Sequence, residues 1–213
     1  WGMTPPTVNA YYNPTVNEIV FPAGILQPPY FDPKADEAFN YGAIGSVIGH
    51  ETTHGFDDEG RQFDAQGNLK DWWTADDAAK FKDKAQKVVD QYNSYVAVDT
   101  LHVNGRLTLG ENIADIGGLT IAFHAWQRSL KGKPAPVIDG FTGEQRFFLG
   151  YASEWRRKLR PESMRTAALT DPHSPAEWRV NGVVSDIPEF YKAFGCKEGD
   201  ALVKNDAQRP DIW

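Results

Sequence analysis

A mostly helical chain with a small β component, an α+β fold, is what this sequence predicts, on three observations. Two short runs of β-branched and aromatic residues near the start are bounded by turn residues. From Lys34 onward most apolar residues recur at three- and four-residue steps, the helical period. Thr74 and Thr142 stand immediately before two of those periodic runs, where helix caps belong.

The runs Val8 to Tyr12 and Val16 to Phe21, split by Asn13-Pro14 and closed by Pro22-Ala23-Gly24, read as two short strands. Lys34 to Thr53 reads as one helix through Phe39, Ile44, Val47 and Ile48, although it carries Gly42, Gly45 and Gly49. Each interior glycine costs about 1 kcal/mol relative to alanine, so a helix that keeps three is expected to let a neighbour approach its backbone. A phosphate-cradling loop would need GxGxxG or GxxxxGK[ST], and neither is present. Gln62 to Trp73 reads as loop. Its Asp64 to Asn68 segment is a turn, without the alternating acids and final Glu of a calcium loop.

Thr74 caps an amphipathic helix through Ala78, Phe81, Ala85, Val88, Val89, Tyr92, Tyr95 and Val96. Further helices are expected from Leu109 to Leu130 and from Thr142 through Phe147, Phe148, Tyr151, Trp155 and Leu159. Shorter ones fall near 162–169 and 188–194.

The 213 residues allow one substantial core and so one domain, and 41% hydrophobic with 24% charged residues excludes a disordered chain. A net charge of −7 without a dense basic run argues against a nucleic-acid surface. No stretch approaches the roughly 18–20 apolar residues that span a bilayer. Trp1 to Pro6 reads as the interior of a longer protein. The lone Cys196 excludes an intrachain disulfide, leaving packing, with or without a metal, to hold the fold.

Within the glycine-bearing helix lies His50-Glu51-Thr52-Thr53-His54, an HExxH motif. Residues four apart are separated by roughly 400°, so both imidazoles share one face and can grip one cation. Glu51 sits beside that face, where it can hold a water at the metal and take its proton. A bare HExxH also occurs in proteins without metal, so the motif needs support. Glu111, at the start of a second helix, offers a third ligand, completing the His, His, Glu set of catalytic zinc. Asp115 is one turn on and can accept the free imidazole N–H of a ligand histidine. The plain alternative for both acids is a solvated first turn facing the helix dipole. A third cluster, Asp171-Pro172-His173-Ser174-Pro175 with Arg179-Val180-Asn181-Gly182, reads as a proline-bounded loop. Its imidazole could stabilise an oxyanion and its guanidinium clamp a carbonyl, though loop residues of these types are usually surface groups.

Several segments together resemble the catalytic domain of the neprilysin family of zinc metallopeptidases, which includes endothelin-converting enzymes and bacterial oligopeptidases. They are Asn9-Ala10-Tyr11-Tyr12, Ile19 to Pro29, Val47 to Glu51 with His54 to Asp58, Gly110 to Asp115, and Asp171 to Pro175. The resemblance runs from near Val8 to Trp213 and implies a zincin-type, thermolysin-like fold with a sheet edge that receives a peptide. It implies one Zn²⁺ held by His50, His54 and Glu111, with Glu51 as general base and Asp115 behind a ligand histidine. It also implies His173 as oxyanion stabiliser and Arg179 as contact to a substrate carbonyl. Asn9 and the Ala10 backbone would pair with the peptide, and Ile25, Tyr30, Val47 and Trp155 would line an apolar specificity pocket. The plain alternative for those four is core packing.

The expected activity is endopeptidase hydrolysis of oligopeptides. Residues 1–213 would be the catalytic domain of a longer protein whose helical N-terminal domain, absent here, closes over the cleft. Thr52, Ser46 and Glu154 depart from the family's apolar preferences. A lone cysteine and a Pro210-Asp211-Ile212-Trp213 ending point to a bacterial member, for which a periplasmic or secreted location is expected ahead of a cytoplasmic one. A non-catalytic peptide-binding module with structural or no zinc, and a metallohydrolase acting on another substrate, stay open as alternatives.

Overall fold

Among the described residues helix dominates and the strands form two short antiparallel pairs, in keeping with the α+β expectation. The computed structural model describes residues 1–212. The chain runs through β1 (Tyr11–Asn13), β2 (Glu18–Val20), α1 (Glu37–Gly42), α2 (Ile44–Thr53), α3 (Ala75–Asn93), β3 (Val96–Val98) and β4 (Leu101–His102). It continues through α4 (Leu109–Ser129), α5 (Gly143–Glu154), α6 (Pro161–Thr170), α7 (Ala176–Val184) and α8 (Pro188–Phe194). β1 pairs with β2 and β3 with β4, as separate two-stranded sheets. Among the described residues no helix is long and apolar enough to cross a membrane.

The helix expected over 34–53 is two helices. Ala43, fully buried, breaks it at ψ −105°, and the Ile44 amide donates to the Tyr30 carbonyl at 2.9 Å. The break lets each half meet a different partner. A Cβ on Gly42 would lie 1.8 Å from the Phe147 carbonyl oxygen, so α1 crosses α5 in backbone contact. One on Gly49 would lie 2.5 Å from the Gly118 oxygen, and one on Gly118 would lie 2.5 Å from the His50 nitrogen, so α2 crosses α4 the same way. Gly45 meets only ordinary contacts, so two of the three glycines serve as expected.

The far half of α4 is anchored in an aromatic core. Phe123 stacks on Phe148, Trp126 stacks on Phe147, and Phe123 meets Phe147 edge to face at 5.1 Å between centroids. Truncating such a buried ring to alanine typically costs about 3–5 kcal/mol, which fixes α4 and the acids near its start. The capping box at Thr142 and Gln145 starts α5 as the sequence predicts, but that helix ends at Glu154, before Leu159. Likewise α3 ends at Asn93: Tyr95 leaves it to stack on Trp178 at 4.0 Å, and Val96 opens β3.

The reading of 171–182 as loop is corrected by α7, which carries Arg179. Asn181-Gly182 resembles turn chemistry, but Gly182 is small because a Cβ there would come within 2.9 Å of the Tyr92 hydroxyl. A second apolar cluster joins Ala10, Ile25 and Ile44 with Phe21, Tyr30, Phe31 and Val47. Phe21 and Ile25 tie the Val20 to Pro29 segment into it, beside one wall of the cleft described next.

Candidate metal centre and substrate cleft

The crossing of α2 and α4 at Gly49 and Gly118 sets the geometry of everything beside it. His50 follows Gly49 directly, and Asp115 and Glu111 precede Gly118 by one and two turns of α4. His50 Nδ1 lies 2.8 Å from Asp115 Oδ1, and His54 Nδ1 lies 2.7 Å from Asp57 Oδ2. Each carboxylate accepts, so each ring carries its hydrogen on Nδ1, and the Nε2 atoms face one another 3.0 Å apart. Glu111 adds Oε2 at 3.3 Å from His50 Nε2 and Oε1 at 3.6 Å from His54 Nε2.

These separations of 3.0, 3.3 and 3.6 Å bracket the edge of a tetrahedron around Zn²⁺, about 3.3 Å for ligand distances near 2.05 Å. Glu111 Oε2 is buried and receives no hydrogen bond. Burial pulls the His50 imidazole down, but the Asp115 hydrogen bond and the nearby Glu111 carboxylate outweigh it and raise its pKa to about 10. Glu111 is buried too, yet His50 and Arg179 hold it well below the usual carboxylate range. A His, His, carboxylate set with an acceptor-only centre fits zinc.

Glu51 borders the same centre: His50, Glu51 and His54 place ligand atoms within 4.8 Å of one another. Burial pushes its carboxyl up and the two histidines work the other way. Since Glu111 approaches both Nε2 atoms, Glu51 is left beside the centre with a proton affinity above that of an exposed glutamate.

Every residue given a site role from the sequence lines one cleft of about 1060 Å³. Asn9 and Ala10 lead into β1 on one side, while Ile25, Tyr30 and Val47 form an apolar wall backed by the second cluster. His173 stands at the rim with Nε2 3.3 Å from Glu111 Oε2, and its Nδ1 is held by Asp171 at 2.7 Å. Arg179 is 8% exposed and grips Asp115 bidentately at 2.6 and 2.7 Å, with its guanidinium 4.0 Å over the Trp155 ring. Ser46 and Glu154 also line the cleft.

Two contributors were not assigned from the sequence. Asp57 orients His54 and its other oxygen accepts the Glu59 and Gly60 amides at 2.9 and 2.7 Å. Its position three residues after the second histidine was the available signal. Asn112 holds Ser174 at 2.7 Å and so pins the His173 segment to α4; no local pattern reveals that contact. Replacing Asp57 by alanine is expected to weaken zinc affinity by about 10–100-fold, measurable by competition with a chromogenic chelator. Unchanged affinity would remove Asp57 from the centre's support.

An HExxH helix crossed in backbone contact by a second helix that supplies a carboxylate defines the zincin class of metallopeptidase fold. A family model described as Peptidase family M13 matches residues 9–209, and the chain belongs to that family. It is 48% identical to an endothelin-converting enzyme homolog of Locusta migratoria and to human endothelin-converting enzyme 1, with all of this chain aligned. The chain spans only 29% and 28% of those relatives. The zinc metalloprotease Zmp1 of Mycobacterium tuberculosis, solved in complex with an inhibitor, superposes with a TM-score of 0.96 at 55% identity. That match covers all of this chain and 33% of Zmp1. PepO from Lactobacillus rhamnosis follows at 0.86 and 39% identity, over 98% of this chain and 32% of that one.

Proposed function

We propose that this chain is the catalytic domain of a zinc-dependent endopeptidase that hydrolyses oligopeptides. The convergence of His50 Nε2, His54 Nε2 and the Glu111 carboxylate, with Glu51 alongside, carries the reading. Zinc, held by His50, His54 and Glu111, would supply Lewis-acid polarisation of the scissile carbonyl and make water easier to deprotonate. Asp115 and Asp57 keep the two imidazoles in the tautomer that presents Nε2. Glu51 takes the proton of the attacking water and passes it to the departing amine. A side chain with raised proton affinity suits both transfers.

His173 has Nδ1 held by Asp171 at 2.7 Å, which leaves Nε2 facing the cleft as the donor to the developing oxyanion. Arg179, with Nε and Nη2 taken by Asp115, has Nη1 for the substrate carbonyl on the leaving-group side. The peptide pairs with the segment from Asn9 through β1 as an added strand, and Ile25, Tyr30, Val47 and Trp155 surround the side chain after the scissile bond.

A closed structural zinc site would need a fourth protein ligand, commonly Cys. Cys196, just after α8, does not line this cleft. Residues outside this chain, in a helical domain, would close the cleft and limit entry to short peptides. The chain's small share of its relatives' length accommodates such a domain.

The test is reversible chelation. Cleavage of a mixed peptide library by the zinc-loaded protein is expected to fall to background with 1,10-phenanthroline and return with about one equivalent of Zn²⁺. Persistent cleavage after complete metal removal would overturn the reading.

A further inference from the structure

The last residue of α5 is a carboxylate without a partner. Glu154 is 9% exposed and lines the cleft, and both its oxygens are buried with no hydrogen bond to either. Burial drives its pKa well above the usual carboxylate range, and the Asp115 charge adds to that effect against Arg179 and His50. Leaving such a group unpaired is costly, so its position in a ligand cleft points to a ligand.

The neighbouring polar groups fix what kind. Ser46 donates its hydroxyl hydrogen to the Ala43 carbonyl at 2.8 Å, so it offers the cleft only lone pairs. Arg179 has Nε and Nη2 committed to Asp115. Arg157 and Lys158 also line the cleft, but they are exposed and neither hydrogen-bonds to Glu154. Glu154 and Ser46 thus offer acceptors here, and the donors left to the cleft, Trp155 Nε1 and Arg179 Nη1, form no hydrogen bond to Glu154. Ile25, Val47 and Trp155 in the same cleft provide apolar surface for a methylene stem. An aliphatic substrate side chain would fill that stem region but bury the carboxyl further without pairing it.

We propose that the pocket for the residue after the scissile bond selects lysine or arginine, whose terminal N–H groups complete the unpartnered carboxylate of Glu154. The inference rests on the endopeptidase reading and adds the substrate class. Relatives with an aliphatic residue at this place would lack the pairing group.

The test uses internally quenched peptides that differ only after the scissile bond, carrying Lys, Arg, Leu or Phe, with zinc-loaded protein. Wild type is expected to favour Lys and Arg over Leu by at least tenfold in kcat/KM. Glu154→Val is expected to reverse that ratio, and Glu154→Gln, which keeps the shape, to lower it at least tenfold. Leu cleavage at or above the wild-type rate shows that either variant is folded. Wild type cleaving Leu and Phe while sparing Lys and Arg overturns the assignment and leaves the peptidase reading intact, as does a ratio unmoved by both variants. No cleavage of any peptide by wild type defeats the peptidase reading itself, and the assignment with it.

Discussion

Glu51→Gln is expected to lower kcat/KM for peptide cleavage by about 10²–10⁴-fold, the usual contribution of a positioned acid-base group, while zinc still binds. Glutamine keeps the shape of the side chain but cannot take a proton. The fold should tolerate it: the side chain is 4% exposed, and burial already disfavours its charged form. A carboxyl whose pKa is raised by folding weakens stability as pH rises through its unfolded value, so the metal-free neutral amide should melt no lower than metal-free wild type at neutral pH. The measurement pairs steady-state kinetics with metal content. Because His50, Glu51 and His54 also place ligand atoms within 4.8 Å of one another, metal content decides between the two glutamates. Glu51→Gln should stay loaded, and Glu111→Gln should lose its ion. The reverse pattern would exchange the two roles, and a native cleavage rate in Glu51→Gln would remove Glu51 from proton transfer.

The second large effect is expected far from any reacting atom. Gly118→Ala adds one methyl group that would lie 2.5 Å from the His50 nitrogen and 2.7 Å from the Ser46 oxygen. Both are helix backbone and cannot rotate away, so α2 and α4 must separate. Overpacking of this kind costs about 1–3 kcal/mol, and occasionally more; with backbone on both sides the upper part of that range is expected. The same separation moves His50 away from Asp115 and Glu111, now 2.8 and 3.3 Å distant. Zinc affinity and melting temperature should therefore fall together. Denaturant melts with and without zinc, alongside a zinc titration, measure both. A variant as stable and as tightly loaded as wild type would show that the crossing does not set the ligand geometry.

Much of the site is legible along the chain because its chemistry is local. His50 and His54 share a helix face by spacing alone, and Glu111 and Asp115 do so one turn apart. The Thr74 and Thr142 caps were readable for the same reason, each depending on a residue three positions away. The break at Ala43 was not, since it answers to the Tyr30 carbonyl and to α5 rather than to its own neighbours. Arg179 was read into a loop because Pro172 and Pro175 bound the segment, whereas Pro175 stands at the start of α7, which carries the arginine.

The amino-acid order by itself determined the helices other than α7 and the break at Ala43, together with the HExxH pair, the second-helix acids and the likeness to the M13 peptidases, since each is written in spacing or in contiguous segments. Only the tertiary structure decided that Gly49 meets Gly118, that Asp57 orients His54, that Asp115 serves His50 and Arg179 together, and that Glu154 lies buried without a partner. Those facts concern which distant surfaces touch and which polar atoms lose water when they do, and close packing sets both after the local elements have formed.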